Sequence, residues 1–135
     1  MTTRSSLLHG ALTQDIIGAC YEVYNELGWG FAEIVYAEAL ALVLESRGVP
    51  FTREHVLQVH FRRRVIGVFR ADLVVDQRVI VELKACNRLQ PSHEAQLINY
   101  LRGSGLQVGL LFNFGQKPEV RRLIWTDSLQ RLASE

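Results

Sequence analysis

The chain has 135 residues, which suits one compact domain with a substantial core and leaves little room for a second. Apolar residues make up 48% of it and charged residues 21%, which excludes a disordered protein, and no apolar run approaches the roughly 20 residues of a membrane-spanning helix. The net charge of +1 is unevenly spread: residues 1–50 carry two basic and six acidic side chains, residues 51–135 thirteen and eight, so any polyanionic partner is expected to meet the second part.

Residues 1–12 are expected to form a flexible arm without the apolar core of a signal peptide, ahead of a single domain over residues 13–135. From Thr13, an N-cap candidate, Ile16, Ile17, Cys20, Val23, Tyr24 and Leu27 recur at helical spacing until Gly28 and Gly30 stop the helix. A second helix is predicted from about Phe31 to Arg47, with Tyr36, Leu40, Val43 and Leu44 on one face, Gly48 as its C-cap candidate and Pro50 as its stop. Strand-like runs follow at about 54–61, 66–75 and 79–85. A third helix runs from Pro91 to the Gly103-Ser104-Gly105 stretch, Val108 to Phe114 reads as a buried strand, and Arg121 to Trp125 as a short edge strand. The tail from Asp127 is expected to add one helical turn. Three strands joined by short turns should be antiparallel, and the helical crossover makes the next one parallel to its neighbour. The expected fold class is therefore α/β, a mixed sheet flanked by helices in the order α-α-β-β-β-α-β-β.

The chemistry lies in charges placed where charges are costly. Glu82 and Lys84 interrupt the apolar run Val79-Ile-Val-Glu-Leu-Lys-Ala85, and Asp72 interrupts Ala71-Asp-Leu-Val-Val75. An ionised group in a buried strand costs several kcal/mol unless it is paired or holds a metal. Glu82 and Lys84 share a face by the period of two, and a hairpin brings Asp72 to them. Two acids and a lysine at a sheet edge suit a divalent cation: Asp72 and Glu82 supply carboxylates and Leu83 a main-chain carbonyl, with waters filling the rest of a Mg²⁺ shell. Lys84 would then orient or help deprotonate an attacking water and stabilise charge on a phosphate. The bland alternative is a buried Asp72–Lys84 or Glu82–Lys84 ion pair with no catalytic role.

Glu33 falls beside the apolar stripe of the second helix, where a metal site or Lys84 would be its partner; the alternative is a first-turn acid that favours the helix dipole. His93, Gln96 and Tyr100 share one face of the third helix, so Gln96 and Tyr100 could bond a ligand or brace the lysine, the alternative being that Tyr100 packs on the sheet. Arg53, Arg62, Arg63, Arg64 and Arg70 form a basic cluster that could follow a phosphate backbone, or simply a soluble hairpin turn. Other motifs fail. Gly28-Trp-Gly30-Phe-Ala-Glu33 lacks the third glycine and the preceding strand of a dinucleotide fingerprint, and His55 and His60 face opposite sides of a strand. Cys20 and Cys86 have no CxxC spacing, which points to a reducing, cytoplasmic setting.

Five motifs in order resemble the GxxExxY-type proteins of the PD-(D/E)xK nuclease superfamily: Gly30-Phe-Ala-Glu33-Ile-Val-Tyr36, Arg70-Ala-Asp72, Val81-Glu82-Leu83-Lys84, His93-Glu-Ala-Gln96-Leu-Ile-Asn99-Tyr100-Leu101, and Gly109-Leu-Leu-Phe-Asn113-Phe114-Gly115. The resemblance spans about Leu12 to Trp125. It implies a restriction-endonuclease-like core, with Mg²⁺ (Mn²⁺ as substitute) on Asp72, Glu82 and a main-chain carbonyl. Lys84 would be the catalytic lysine, Glu33 an added acid and Gln96 the polar residue of the following helix. The function expected is hydrolysis of phosphodiester bonds in DNA, in preference to RNA. The alternative is a non-catalytic nucleic-acid-binding or regulatory module on the same fold, and further behind stands a protein-interaction domain whose acids form an ion-pair network. No membrane partner is expected; a homo-oligomer stays open, with Trp29, Trp125 and Phe69 as core or interface residues.

Overall fold

The structure, a computed structural model, describes residues 8–126. Helix α1 (Gly10–Leu27) and helix α2 (Glu33–Ser46) precede strands β1 (Phe51–Phe61), β2 (Arg64–Val75) and β3 (Val79–Lys84), then helix α3 (Pro91–Ser104) and strands β4 (Val108–Phe114) and β5 (Pro118–Ile124). This is the expected order. Of the arm expected over residues 1–12, residues 1–7 lie outside the described residues and Gly10–Leu12 belong to α1, with Leu8 and Leu12 packed on the core. The turn expected from Asp127 also lies outside them. Among the described residues no helix is long and apolar enough to cross a membrane.

The five strands lie in sequence order, β1-β2-β3-β4-β5; β3 and β4 are parallel and every other pair antiparallel. The crossover α3 supplies the parallel step, because a chain leaving the end of β3 must return to the start of β4. All seven residues of β4 are buried, as a strand covered on both faces requires. α1 and α2 cover one face, packing Ile16, Val23, Tyr36, Leu40 and Leu44 on Val79, Val81, Leu110 and Phe112. α3 covers the other, packing Leu97 and Leu101 on Val74, Ile80 and Leu111. The fold is thus an α/β mixed sheet with helices on both faces.

The core-facing residues of β2 break their alternation at one place, apart from the register shift of the β1–β2 ribbon between Val59 and His60. Ala71 packs with the α3 cluster while Leu73 and Val75 pack with α1 and α2, although residues two apart on a strand should share a face. Asp72 sits between them. The β1–β2 register runs from Arg53 opposite Leu73 to His55 opposite Ala71 with no Glu54–Asp72 pair, and Glu54 takes a left-handed φ of 48°. The β2–β3 register stops at Leu73 opposite Val81. Asp72 therefore stands where β2 turns over and leaves both neighbouring ladders.

Beyond that point β1 and β2 run on as a two-stranded ribbon, joined at Arg62 and Arg63, which both take left-handed φ values of 50° and 67° as a tight hairpin turn demands. One face of the ribbon lies against α3. The other leaves Val56, Ile66 and Val68 between half and two-thirds exposed.

Candidate active site

Where the ladders open, side chains take over the bonding. The Leu83 N–H donates to Asp72 Oδ2 at 2.8 Å, and the Asp72 N–H donates to Glu82 Oε1 at 3.3 Å. Each carboxylate thus stands in for a missing strand carbonyl, and the two acids of β2 and β3 are brought together. In a strand the carbonyl of a residue points to the same side as its N–H, so the Leu83 carbonyl also faces β2 and Asp72.

The electrostatics follow from that crowding. Burial pushes the Glu82 carboxyl up to about 8, the Asp72 charge adds to this, and the Asp72 N–H and the Lys84 ammonium offset only part of it. Asp72 is also raised, chiefly by burial, against the Leu83 N–H and the charges of Lys84 and Arg53. Lys84 stands close enough to act on both acids, yet among the described residues it makes no ion pair within 4.0 Å. The buried ion pair entertained as the bland alternative is therefore not formed.

Glu33 requires a correction. It is the first residue of α2 and is exposed, not turned into the core beside the apolar stripe. The helical period places it on the stripe, but burial on α2 begins only at Tyr36, and Glu33 is the first-turn acid of the alternative reading. It still faces the acids across a cavity of about 290 Å³ that it lines with Arg53, Glu54 and Asp72. Among the described residues no third His, Cys, Asp or Glu joins Asp72 and Glu82 in a close cluster, so Glu33 stands outside their immediate set.

The remaining expected residues separate into near and far. Tyr100 stacks flat on Phe69 with ring centroids 3.6 Å apart, which covers one face of the ring and ties it to the sheet. Burial raises its hydroxyl pKa, the Glu82 charge adds to this, and a bond from the exposed Gln96 one turn earlier opposes it. Gln96 and Tyr100 therefore border the acids. His93 does not join them: its Nδ1 accepts the Gln90 N–H at 3.0 Å, closing the start of α3. Arg70 is exposed on β2, two residues before Asp72. Arg62, Arg63 and Arg64 sit exposed at the ribbon tip, eight or more strand residues from Asp72 and so roughly 25 Å away. They cannot touch the same phosphate as the acids.

Two further residues, Arg53 of the basic cluster and Asn113 of the last motif, take roles at the site that the sequence does not assign them. Arg53, held by Glu38 at 2.7 Å, lines the cavity beside Asp72 and bears on its charge. Asn113, fully buried on β4 opposite Lys84, accepts the Cys86 N–H and donates to the Cys86 carbonyl, both at 2.9 Å. A lone amide inside the run Val108–Phe114 was the available signal, by the same logic that exposed Glu82.

A mixed sheet with helices on both faces and an acid pair at the opening of its central hairpin is the framework of a restriction-endonuclease-like domain. The chain belongs to the PD-(D/E)XK nuclease superfamily, whose family model matches residues 10–123. Among solved structures it is similar to an alkaline exonuclease from Laribacter hongkongensis, with a TM-score of 0.55 and 13% identity over 99% of this chain and 77% of that one. At that identity the likeness is one of fold. A comparison with curated proteins gives no significant match.

Proposed function

We propose that the protein is a divalent-metal-dependent nuclease acting on DNA, with RNA the lesser substrate. The observation that carries this reading is the opened ladder at Asp72. Two half-buried carboxylates crowd there, one with its pKa raised to about 8, beside a lysine that among the described residues forms no ion pair. The donor set fits a hard cation: each acid takes a single N–H bond and keeps oxygen lone pairs to spare, and the Leu83 carbonyl faces the same opening. Asp72, Glu82 and Leu83 would hold Mg²⁺, for which Mn²⁺ could substitute. A bound cation would polarise a phosphate oxygen and lower the pKa of a water.

The chain's own residues do the rest. The Leu83 and Asp72 N–H groups fix the two carboxylates in place before any ion arrives. The Lys84 ammonium, on the strand face shared with Glu82, orients the attacking water and meets the charge that grows on the phosphate. Glu33 and Arg53 on the cavity wall, and Gln96 through Tyr100, position the substrate around it. The test is cleavage of labelled single- and double-stranded DNA, with RNA alongside, in Mg²⁺ or Mn²⁺. Loss of at least a hundredfold in rate is expected for Lys84→Ala and for Glu82→Ala. Cleavage that persists in both variants would mean a contaminating enzyme, and a wild-type protein that binds DNA without cutting it would leave a binding module.

The basic ribbon tip gives a separate expectation. At roughly 25 Å from the acids it lies about seven nucleotides along a strand. The double change Arg62→Ala with Arg64→Ala should weaken binding of a long oligonucleotide and lower its log K against log salt slope by about two, while leaving a tetranucleotide unaffected. Equal salt slopes for the variant and the wild type would make the cluster a solubility feature.

A further inference from the structure

Three loops meet at the end of the sheet where β3 and β4 finish: residues 28–32 between the first two helices, residues 85–90 after Lys84, and residues 115–117 between β4 and β5. The first of them presents large aromatic side chains to solvent. Trp29 is 57% exposed and Phe31 47%. Single exposed apolar residues are common, but two adjacent aromatic rings over a cavity are not.

That loop is braced from below by a buried tyrosine. The Tyr36 hydroxyl donates to the Gly28 carbonyl at 2.6 Å and accepts the Phe31 N–H at 3.2 Å. Tyr36 is itself fully buried and stacked on Phe114 with centroids 4.2 Å apart. Phe31 meets the Tyr36 ring edge to face at 6.0 Å. Gly28 and Gly30 take φ of 69° and 111°, which lets the backbone turn sharply on either side of Trp29. Phe31 and the backbone on either side of Trp29 are therefore held in place, and the Trp29 side chain is displayed to solvent beside them.

Beneath the pair lies a cavity of about 170 Å³, closed on its far side by Ala85, Cys86 and Asn87. Ala85 directly follows Lys84. The same cavity shares Asn87 and Gln116 with a larger neighbouring basin of about 730 Å³, bordered by the three cations Arg88, Lys117 and Arg121 and by the carboxylate of Glu119. Among the described residues Arg88 and Lys117 make no ion pair, and Arg121 makes only contacts of 3.6 Å to Glu94 and Glu119. Acid pair, aromatic cavity and basic basin thus lie in sequence around one end of the sheet.

We propose that the cavity under Trp29 and Phe31 takes one unpaired nucleobase of a single nucleic-acid strand, and that the basin of Arg88, Lys117 and Arg121 carries the phosphates next to it. A base inside a duplex has both faces covered by its neighbours, so only an unpaired one can lie on Trp29. Every base has a π face, so the contact selects single-strandedness without reading sequence. The positive basin supplies the complementary charge for the backbone. The substrate class is then a single strand or a frayed end. The inference rests on the nuclease reading only for the location of the scissile phosphate beside Lys84.

The experiment is a binding titration of the whole protein in EDTA, where no cleavage occurs, with a single-stranded 12-mer and the same 12-mer annealed to its complement. Tryptophan emission should fall on addition of the single strand and change little with the duplex. Trp29→Ala should weaken single-strand binding roughly tenfold, and Trp29→Phe should retain most of it. Arg88→Ala with Lys117→Ala should weaken it and flatten its salt dependence. Because both rings are exposed, Phe31→Ala provides a second variant that leaves the core intact. Wild-type affinity in both Trp29→Ala and Phe31→Ala, or unchanged emission with the single strand, would overturn the proposal. If metal-dependent cleavage survives in those variants and is lost in Lys84→Ala, the nuclease reading outlives it. If emission falls and affinity drops as expected but no metal supports cleavage, the strand site stands without the nuclease.

Discussion

Glu82→Gln is expected to make the metal-free protein more stable at alkaline pH while removing its metal-dependent cleavage. In the folded chain the Glu82 carboxyl titrates at about 8 against an ordinary value of 4.5. Between those values the folded state holds a proton that the unfolded state has released. The sign follows: because the native state binds more protons there, its stability falls as pH rises through the window. Below pH 4.5 both states are protonated and nothing is lost; above about 8 the whole cost is in place. Each pH unit of the window is worth about 1.4 kcal/mol, so the full cost is on the order of 5 kcal/mol.

Glutamine keeps the oxygen that accepts the Asp72 N–H and never acquires the charge. In thermal melts without divalent ions, wild type and Glu82→Gln should coincide near pH 4.5 and separate by roughly 10 °C near pH 9, the variant being higher. Millimolar Mn²⁺ should raise the wild-type curve and leave the variant where it was, since a cation relieves the Asp72–Glu82 repulsion only where that repulsion exists. Cleavage should fall at least a hundredfold in the variant. Parallel pH curves for the two proteins would show that Glu82 is solvated and that the acids do not crowd. This is a site whose binding capacity is held at the expense of stability in the empty state.

How far such a site can be read from sequence depends on what makes a residue anomalous. Asp72, Glu82 and Lys84 are legible because a charge inside Val/Ile/Leu runs must be explained, and the apolar runs themselves fix β3 and β4 closely. β3 ends at Lys84, one residue before the expected limit, and β4 keeps its expected bounds. Edges carried less signal. β1 begins at Phe51 instead of near residue 54, and β5 at Pro118 instead of Arg121, because Pro50 and Lys117-Pro118 look like turns; a proline as the first strand residue gives up no ladder bond. Helical period alone also cannot say at which turn of a helix burial begins, which is why Glu33 looks inward from sequence. The half-turn of β2 at Asp72 has no sequence mark at all. It arises from strand pairing on both sides of a residue that pairs with neither. Trp29 reads from sequence as a core or interface residue and Phe31 only as the start of a helix, since apolarity says that burial is favourable, not that it occurs.

Asn113→Leu should cost on the order of 3 kcal/mol of stability, a large share of the 5–15 kcal/mol typical of a domain. The Asn113 side chain does what a further residue of β4 would do. Its Oδ1 takes the Cys86 N–H, and its Nδ2 gives one hydrogen to the Cys86 carbonyl and another to Glu119 Oε1 at 3.2 Å. Glu119 in turn accepts the Leu89 N–H at 2.9 Å, so one buried amide fixes the whole loop that follows Lys84. Leucine matches it in size but leaves both Cys86 groups and one Glu119 bond unmade. Each buried group left without a partner costs about 1–3 kcal/mol.

The consequence reaches beyond stability, because Lys84 is the last residue of β3 and the loop is all that backs it on the C-terminal side. At a temperature where Asn113→Leu is fully folded, cleavage should still fall by tenfold or more, while the Mn²⁺-induced rise in melting temperature persists, since Asp72 and Glu82 keep their own bonds. Gly115→Ala approaches the same contact from the other side. Its Cβ would lie 2.3 Å from the Cys86 carbonyl oxygen, a main-chain atom that cannot rotate away, so the loop must move. Both variants should therefore lose cleavage together. Full activity in either, at a temperature where it is folded, would mean that the loop has no part in holding the lysine.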